Sequence, residues 1–327
     1  MAYTDIDKPS DYFETVLYAG NSGTQSITSL DFQPDWCWFK ARNNTDTHAV
    51  FDSVRGVTKR LIPDNTTAEG TQSNGLTHFL SNGFTVADAG IVNQGYNYVA
   101  WNWKESADAG FDIVAYTGNG SNRTISHNLG AVPKMMIVKE RDNSNDWKVY
   151  HHSIGNGKSL RLDTTAAQGD DSTAWNSTTP TSSVFSVGTS NAVNRNGGGI
   201  IAYLFADKQG YSKFGSYTGN GNADGTFVYT GFKPAFVMVK NTGVNEQWSM
   251  HDNKRNDNVI PNYARLTADD NQAESTNTTF AKLELFSNGF KLGNSADVIN
   301  DSGVKFIYMA FAENPFVTST GVPATAR

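Results

Sequence analysis

Three stretches of the chain repeat one pattern and decide its fold: LYAGNSGTQSITSLDFQPDWCWFKAR at 17–42, AYTGNGSNRTISHNLGAVPKMMIVKER at 115–141 and SYTGNGNADGTFVYTGFKPAFVMVKNT at 216–242. Each has a tyrosine and a Gly-Asn pair near its start and a proline six residues before a lysine. The aligned positions are Tyr18, Tyr116 and Tyr217; Gly20, Gly118 and Gly219; Asn21, Asn119 and Asn220; Pro34, Pro133 and Pro234; and Lys40, Lys139 and Lys240. Successive prolines lie 99 and 101 residues apart, so the repeat has the size of a domain.

The end of each repeat recurs as well. Alternating aromatic stretches close the three repeats, YNYVAWNWKE at 96–105, GIIAYLFADK at 199–208 and VKFIYMAFAEN at 304–314, and each follows an asparagine (Asn93, Asn194 and Asn300). We therefore predict three domains over residues 1–105, 106–208 and 209–327, called segments 1, 2 and 3 below. The linkers ESADAG and DKQG are short, so we expect neighbouring segments to be held close together.

Each segment is predicted to be built from strands. FETVLYAG at 13–20 and FDIVAYTGNG at 111–120 alternate apolar and polar residues before a Gly-Asn turn, as an outer strand with its hairpin does. Proline-led apolar runs such as AVPKMMIVKER at 131–141 predict strands that are covered on both faces. The predicted fold class is all-β, with three tandem β-sandwich, jelly-roll-like domains from an internal triplication.

The composition excludes several classes of protein. A formal net charge of -6 over 327 residues argues against bulk attraction to nucleic-acid phosphate. One cysteine, Cys37, excludes an intrachain disulfide and is expected to be a buried small hydrophobe between two tryptophans. No apolar run approaches the roughly 18 residues that span a bilayer, so membrane insertion is not expected. The N-terminal stretch lacks the basic and apolar regions of a secretion signal.

The sequence has no recognisable catalytic or metal-binding motif. It contains no GxSxG, Walker A or HExxH pattern. The histidine pair His151 and His152 would point to opposite faces of a strand, where the two imidazoles could not share an ion. His127, on the turn before a proline-led strand, is expected to stabilise that turn by a hydrogen bond. We therefore expect no enzyme activity, no catalytic, cofactor-binding or metal-binding residues, and no cofactor.

Charged residues recur at matching places. Asp170-Asp171 and Asp269-Asp270 lie in corresponding loops of segments 2 and 3. Solvated loop charges are the simple interpretation, and calcium binding is the other, although the spaced DxDxDG ligands are missing. The three aligned lysines follow a buried strand and are expected to mark its exit into solvent.

Long strings of the sequence resemble a known kind of module. They are HAVFDSVRGVTKRLIPDNTTAEGTQSNGLTHFLSNGFTVADAGIVNQGYNYVAWNWKES at 48–106, SHNLGAVPKMMIVKERDNSNDWKVYHHS at 126–153, the opening MAYTDIDKPSDYFETVLYAGN and the end MAFAENPFVTSTGVPATAR. Together they resemble an uncharacterised repeat module in virion proteins of marine tailed bacteriophages, over nearly the whole chain. The family carries no catalytic or ligand residues over to this sequence. The string DSVRG at 52–56 is absent from segments 2 and 3, so any surface function of that string would be confined to segment 1.

The resemblance implies a structural component of a bacteriophage virion, a tail fibre or appendage subunit, assembled in the cytoplasm of the bacterial host. Its expected partners are other virion proteins and further copies of itself in a homotrimer, with host-surface glycan as an additional candidate. A competing hypothesis is that the three repeats form a pseudo-threefold cap, so that one chain suffices on a threefold axis.

Two alternative functions are kept. One is a carbohydrate-binding module array, because repeated sandwiches gain avidity for a repeating glycan. In that case Trp101, Trp175 or Trp248 could stack on sugars, whereas the simpler interpretation places all three rings in cores. The other alternative is a capsid decoration protein.

Overall fold

The computed structural model describes residues 2–255, 264–277, 279–280 and 282–323, and it confirms an all-β protein with 42% strand and 5% helix. The strands are Phe13–Ala19 (β1), Gln25–Ile27 (β2), Trp36–Ala41 (β3), Ala49–Asp52 (β4), Lys59–Arg60 (β5), Gly70–Thr71 (β6), Leu76–Leu80 (β7), Gly83–Val86 (β8), Asn97–Trp103 (β9), Phe111–Thr117 (β10), Arg123–Ser126 (β11), Met135–Glu140 (β12), Lys148–His151 (β13), Lys158–Arg161 (β14), Gly169–Asp170 (β15), Val184–Val187 (β16), Gly199–Phe205 (β17), Ser212–Thr218 (β18), Phe227–Tyr229 (β19), Phe232–Asn241 (β20), Ser249–Asp252 (β21), Leu266–Thr267 (β22), Leu283–Phe286 (β23), Gly289–Leu292 (β24) and Lys305–Pro315 (β25). The helices are a 3-10 turn at Pro9–Asp11 and the single turns Gly90–Asn93 (α1), Asn191–Asn194 (α2) and Asp297–Asn300 (α3). Within the described ranges, no helix has the length and apolar character to cross a membrane.

Three large antiparallel sheets and four small ones make up the described part of the chain. The large sheets have the strand orders β1-β9-β3-β4, β10-β17-β12-β13-β14-β15 and β18-β25-β20-β21-β22. The small sheets are β2-β8-β7, β11-β16, β19-β24-β23 and β5-β6. Every sheet found among the described residues stays within 1–105, 106–208 or 209–327, and the isolated bridge between Lys208 and Ser212 crosses the second boundary.

The central strands of the large sheets are apolar on both faces. In β3, Trp36 and Trp38 point to one face, and Cys37 and Phe39 point to the other, and all four are buried. Strand β12 is likewise buried over its whole length. Cys37 is a free, buried thiol, as expected for a small core hydrophobe. A strand buried on both faces needs a layer on each side, and two different layers supply them.

One layer lies within each segment. Apolar residues of the large sheet pack there against the neighbouring small sheet, as Phe39 does on Phe84 with 5.1 Å between ring centroids. Segments 2 and 3 have equivalent clusters around Phe185 and Phe290. Each segment therefore buries one face of its large sheet by itself.

The other layer is a central core that all three segments share. Trp36 of segment 1 stacks on Tyr203 of segment 2 at 4.7 Å. Phe13 stacks on Phe311 of segment 3 at 5.1 Å, and Phe205 lies 6.1 Å from the same Phe311. Because one continuous cluster contains aromatic rings from three ranges of the chain, the segments are packed as one body.

The repeated tyrosines and asparagines hold equivalent turns. The hydroxyls of Tyr18, Tyr116 and Tyr217 donate to the carbonyls of Val92, Val193 and Ile299 at 2.6, 2.7 and 2.6 Å. The amides of Asn93, Asn194 and Asn300 donate to the carbonyls of Gly23, Ser121 and Asn222, and their Oδ1 atoms accept from the backbone of Asn21, Asn119 and Asn220. The repeated tyrosines and asparagines therefore fasten the Gly-Asn turn of each segment to its one-turn helix.

Candidate functional site

Segments 1 and 2 meet at a buried cluster of charges, which we call the first joint. Asp52 is the last residue of β4, and its Oδ2 accepts from Arg55 Nε at 2.5 Å and from the hydroxyl of Tyr203 at 2.7 Å. Arg55 also contacts Glu69 at 3.1 Å, and Glu69 accepts two hydrogen bonds from Arg141 of segment 2. Both Arg55 and Asp52 are fully buried. Asp52 and Arg55 of the DSVRG string therefore belong to an internal joint, whereas Val54 between them is exposed.

Segment 3 meets segment 1 through the same arrangement. Asp252 is the last residue of β21 and accepts from Arg255 Nε at 2.6 Å and from Trp101 Nε1 at 3.0 Å. Arg255 contacts Glu274 at 3.2 Å, and Glu274 accepts two hydrogen bonds from Arg42 of segment 1. The two charged joints thus match residue for residue, although the sequence strings around them differ.

The joint between segments 2 and 3 keeps the backbone contact and has no charges at these positions. The backbone N–H of Gln168 donates to the carbonyl of Thr242 at 3.1 Å, as those of Glu69 and Glu274 do to Arg141 and Arg42 at 2.7 Å. His151 ends β13, where the other joints have an aspartate, and Ile154 replaces the arginine three residues later. Burial lowers the pKa of His151 to about 3, so this histidine is neutral. The three joints close a ring in which each segment contacts the other two.

The three aligned lysines do not reach solvent, which corrects the expectation from the sequence. Lys40, Lys139 and Lys240 are fully buried, and burial lowers the pKa of each to about 8. Each ammonium group donates to two backbone carbonyls, which for Lys40 are those of Ala41 and Asn44 at 2.8 and 2.9 Å. Lys40 and Lys139 therefore tie the ends of their strands to the following loops, whereas Lys240 bonds Glu246 of its following loop and Thr165 of segment 2.

Buried aspartates lie near these lysines. Asp64, Asp163 and Asp269 accept a backbone hydrogen bond from His48, Trp147 and Trp248 respectively, and burial raises their pKa to about 6, 6 and 7. Asp269 is thus not a solvated loop charge, in contrast to Asp170, whose side chain is 90% exposed. No group of three or more metal-ligating side chains occurs in the part of the chain that the structure describes.

We expect Asp269→Asn to reduce the pH dependence of stability. The folded-state pKa of about 7 lies above the ordinary 3.8, so folding takes up a proton in this window and stability falls as the pH rises through it. The free energy of unfolding of the variant, relative to wild type, should therefore rise by on the order of 1–3 kcal/mol between acid and neutral pH. Urea unfolding at both ends of the window measures this. Asp170→Asn is the exposed control, and a pH-independent difference for Asp269→Asn would contradict the assignment.

The histidines differ partly from expectation. His127 accepts from the backbone of Leu129 and contacts the carbonyl of Thr181, so it stabilises its turn as predicted. His151 and His152 do not face apart, because β13 ends at His151 and the chain turns there. Their rings lie 5.1 Å apart, and the Nε2–H groups donate to the carbonyls of Tyr308 and Phe214 in segment 3. Both imidazoles are occupied in holding segments together.

The tryptophans proposed for sugar stacking are core residues. Trp101, Trp175 and Trp248 are fully buried. Their indole N–H groups donate to Asp252, to the carbonyl of Lys158 and to the carbonyl of Arg161. None of these three rings presents a face to solvent.

A cleft of about 100 Å³ lies at the joint between segments 1 and 3, lined by Ser10, Phe13, Glu14, Thr15, Ala235, Asn253, Lys254, Ala312 and Glu313. The buried Thr15 hydroxyl and the Asn253 side-chain oxygen have no hydrogen-bond partner there. By strand register, Thr15 occupies the position of Ile113 and Phe214, which fill the central core in the other segments. The smaller, polar side chain accounts for the gap.

Thr15→Ile should stabilise the protein. Isoleucine occupies the equivalent position in segment 2, fills part of the gap and removes a buried hydroxyl that has no partner. We expect a gain of about 1 kcal/mol in the free energy of unfolding, measured by chemical denaturation. The control is Thr117→Ile at an exposed strand position, which should change stability by less than about 0.5 kcal/mol. A loss of stability in Thr15→Ile would show that the cleft has no room for the added methyl group.

Exposed aromatic rings concentrate on segment 3. Phe227 and Tyr229 on strand β19 are 45% and 56% exposed, and Phe227 packs edge-on against Phe286 of β23 at 6.1 Å. The Tyr229 hydroxyl lies 3.4 Å from that of Tyr3, whose ring packs on Phe316 at 6.3 Å. We call these five residues the aromatic strip. The sequence analysis missed it, although FVY at 227–229 replaces SIT at 26–28 and TIS at 124–126 in the aligned repeats.

Comparison with known proteins adds one match. A family model described as a domain of unknown function (DUF7483) matches residues 8–315. The match spans all three segments and every joint residue named above. A search of curated proteins finds no match to the chain.

Proposed function

We propose that this chain, which belongs to the DUF7483 family, is a structural component of a bacteriophage virion, a tail fibre or appendage subunit. The observation that supports the proposal best is the shared central core together with the three joints between segments. A chain that closes on itself in this way is a rigid building block, because no segment can swing without opening a buried aromatic cluster. The residues that repeat between segments lie in turns, joints and cores.

Within this proposal the three segments are β-sandwich units of one triplicated ancestor. The repeated tyrosine and asparagine contacts support common descent, since the same side chains make the same hydrogen bonds about 100 residues apart. The pairing of each large sheet with a small sheet supports the sandwich architecture. The domain limits at 105 and 208 remain predictions.

The closed ring bears on how copies are arranged. A homotrimer was expected from the resemblance, and it remains one proposed arrangement. The backbone contact that recurs at the three joints also suits a single chain on a threefold axis, because it relates three similar segments around that axis. Light scattering of the purified protein distinguishes 35.6 kDa from three times that mass.

Locating the chain on a particle tests the virion proposal. Purified phage particles carrying this protein should give density for the closed three-segment body in an electron-microscopy map, at the tail or an appendage. Density on the capsid surface would instead favour the decoration-protein alternative. Particles that lack the protein altogether would overturn the proposal.

The second candidate function is glycan binding, and one observation favours it. The aromatic strip provides exposed rings, which the buried tryptophans do not. In a virion protein this activity would serve attachment to the host surface.

A further inference from the structure

The aromatic strip is a departure from the repeat and is not required by the fold. In the small sheets, Val228, Ile27 and Ile125 occupy equivalent buried positions opposite an aligned phenylalanine. The residues on either side point outward. They are Ser26 and Thr28 in segment 1, Thr124 and Ser126 in segment 2, and Phe227 and Tyr229 in segment 3. Two segments thus fold with hydroxyl side chains where segment 3 exposes aromatic rings.

The sheet beneath the strip holds the rings close to its surface. Tyr229 and Phe286 are both cross-strand neighbours of Gly289. A side chain at Gly289 would come within 2.1 Å of the Val228 carbonyl oxygen and 3.1 Å of the Phe227 ring, so the glycine leaves room for both the strand and the ring. The result is an apolar surface on which about half of the Phe227 and Tyr229 side chains is exposed.

The size of the strip argues against a protein partner. A phenylalanine or tyrosine side chain offers roughly 150–250 Å², so the exposed halves of Phe227 and Tyr229 amount to roughly 200 Å². A stable protein interface takes roughly 800 Å² from each partner. An area of this size corresponds to a few sugar rings.

The surroundings of the strip are polar and electrically balanced. Lys291, across the ladder from Phe227, is paired with Asp224, and Lys282 is paired with Glu284 at 3.8 Å. The hydroxyls of Tyr229 and Tyr3 lie side by side at the other end. A sugar ring has an apolar C–H face and a rim of hydroxyl groups, so it matches apolar rings bordered by hydrogen-bonding groups without net charge.

We propose that the aromatic strip binds a neutral oligosaccharide, with Phe227 and Tyr229 stacking on sugar rings and the tyrosine hydroxyls and the Lys291–Asp224 pair bonding their hydroxyl groups. This inference rests on the proposed function, because it supplies a virion protein with its contact to the host surface. It predicts one binding site per chain, at Phe227 and Tyr229 of segment 3, with Tyr3 of segment 1 at its edge.

The test uses the full-length protein on a printed array of linear neutral hexose oligomers and bacterial surface polysaccharides. The double variant F227S/Y229T gives segment 3 the residue types of segment 1, which keeps the sheet sequence compatible with folding. Binding to the neutral glycans should fall by about tenfold or more in this variant. The control F280S removes a different exposed aromatic, 51% exposed, and should bind as wild type does.

Three results would overturn the inference. They are a wild type that binds no neutral glycan on the array, a double variant that binds as tightly as wild type, and self-association of wild type that the double variant abolishes. The last would assign the strip to contact between copies. Each of these leaves the location of the protein on the virion untouched, so the two proposals fail separately.

Discussion

Arg55→Ile alone is expected to lower the free energy of unfolding by about 3–5 kcal/mol. The substitution leaves Asp52 fully buried and Glu69 largely buried without the guanidinium that lies between them. Removing one partner of a buried ion pair costs much more than the pair itself contributes, because the remaining charge is poorly solvated. Urea unfolding of the purified variant measures the loss.

The neutral joint between segments 2 and 3 supplies the control for this experiment. Copying it into the first joint requires five substitutions, which install the residue types of the joint between segments 2 and 3. They are Asp52→His, Arg55→Ile, Glu69→Gln, Arg141→Thr and Tyr203→Met. We expect the combined variant to recover most of the stability that Arg55→Ile loses, since no buried charge remains. A combined variant that is less stable than Arg55→Ile would show that packing, and not charge, governs the joint.

The sequence predicted the strands but not the contacts between the segments. The continuous apolar run in WCWFKA predicts that both faces of β3 are covered, and it cannot show that Trp36 packs on a ring 167 residues away in the chain. The expectation for the aligned lysines was wrong because a charged side chain at a strand end normally points to solvent. Here backbone carbonyls accept its hydrogen bonds inside the protein, at the strand end and the next loop for Lys40 and in segment 2 for one bond of Lys240.

The candidate surface shows a similar limit. Tryptophan was considered for sugar stacking because of its size, yet large rings are also the best material for a shared core, and Trp101 is buried there. The informative signal was a difference between aligned repeats, in which Phe227 and Tyr229 occupy positions that hold serine or threonine in the other two segments. Outward positions carry little constraint from the fold, so a departure at such a position is better evidence of function than a buried tryptophan.

Trp36→Ala is expected to destabilise all three segments together. Its ring contacts Trp103 at 4.5 Å and Tyr203 at 4.7 Å, so the cavity opens between segments 1 and 2. Truncating a buried tryptophan costs about 3–5 kcal/mol. If the central core couples the segments, hydrogen exchange should accelerate by a similar factor in the slowest amides of residues 1–105, 106–208 and 209–327.

A tryptophan in a segment's own core provides the matched control. Trp175 is as fully buried as Trp36, but it packs on Tyr150 of the same segment at 5.8 Å. Trp175→Ala should therefore accelerate exchange mainly in segment 2, through partial opening of that segment. If Trp36→Ala instead accelerates exchange only in segment 1, the segments unfold independently. Three units that unfold independently would not form one rigid body, and the proposed structural role would lose its main support.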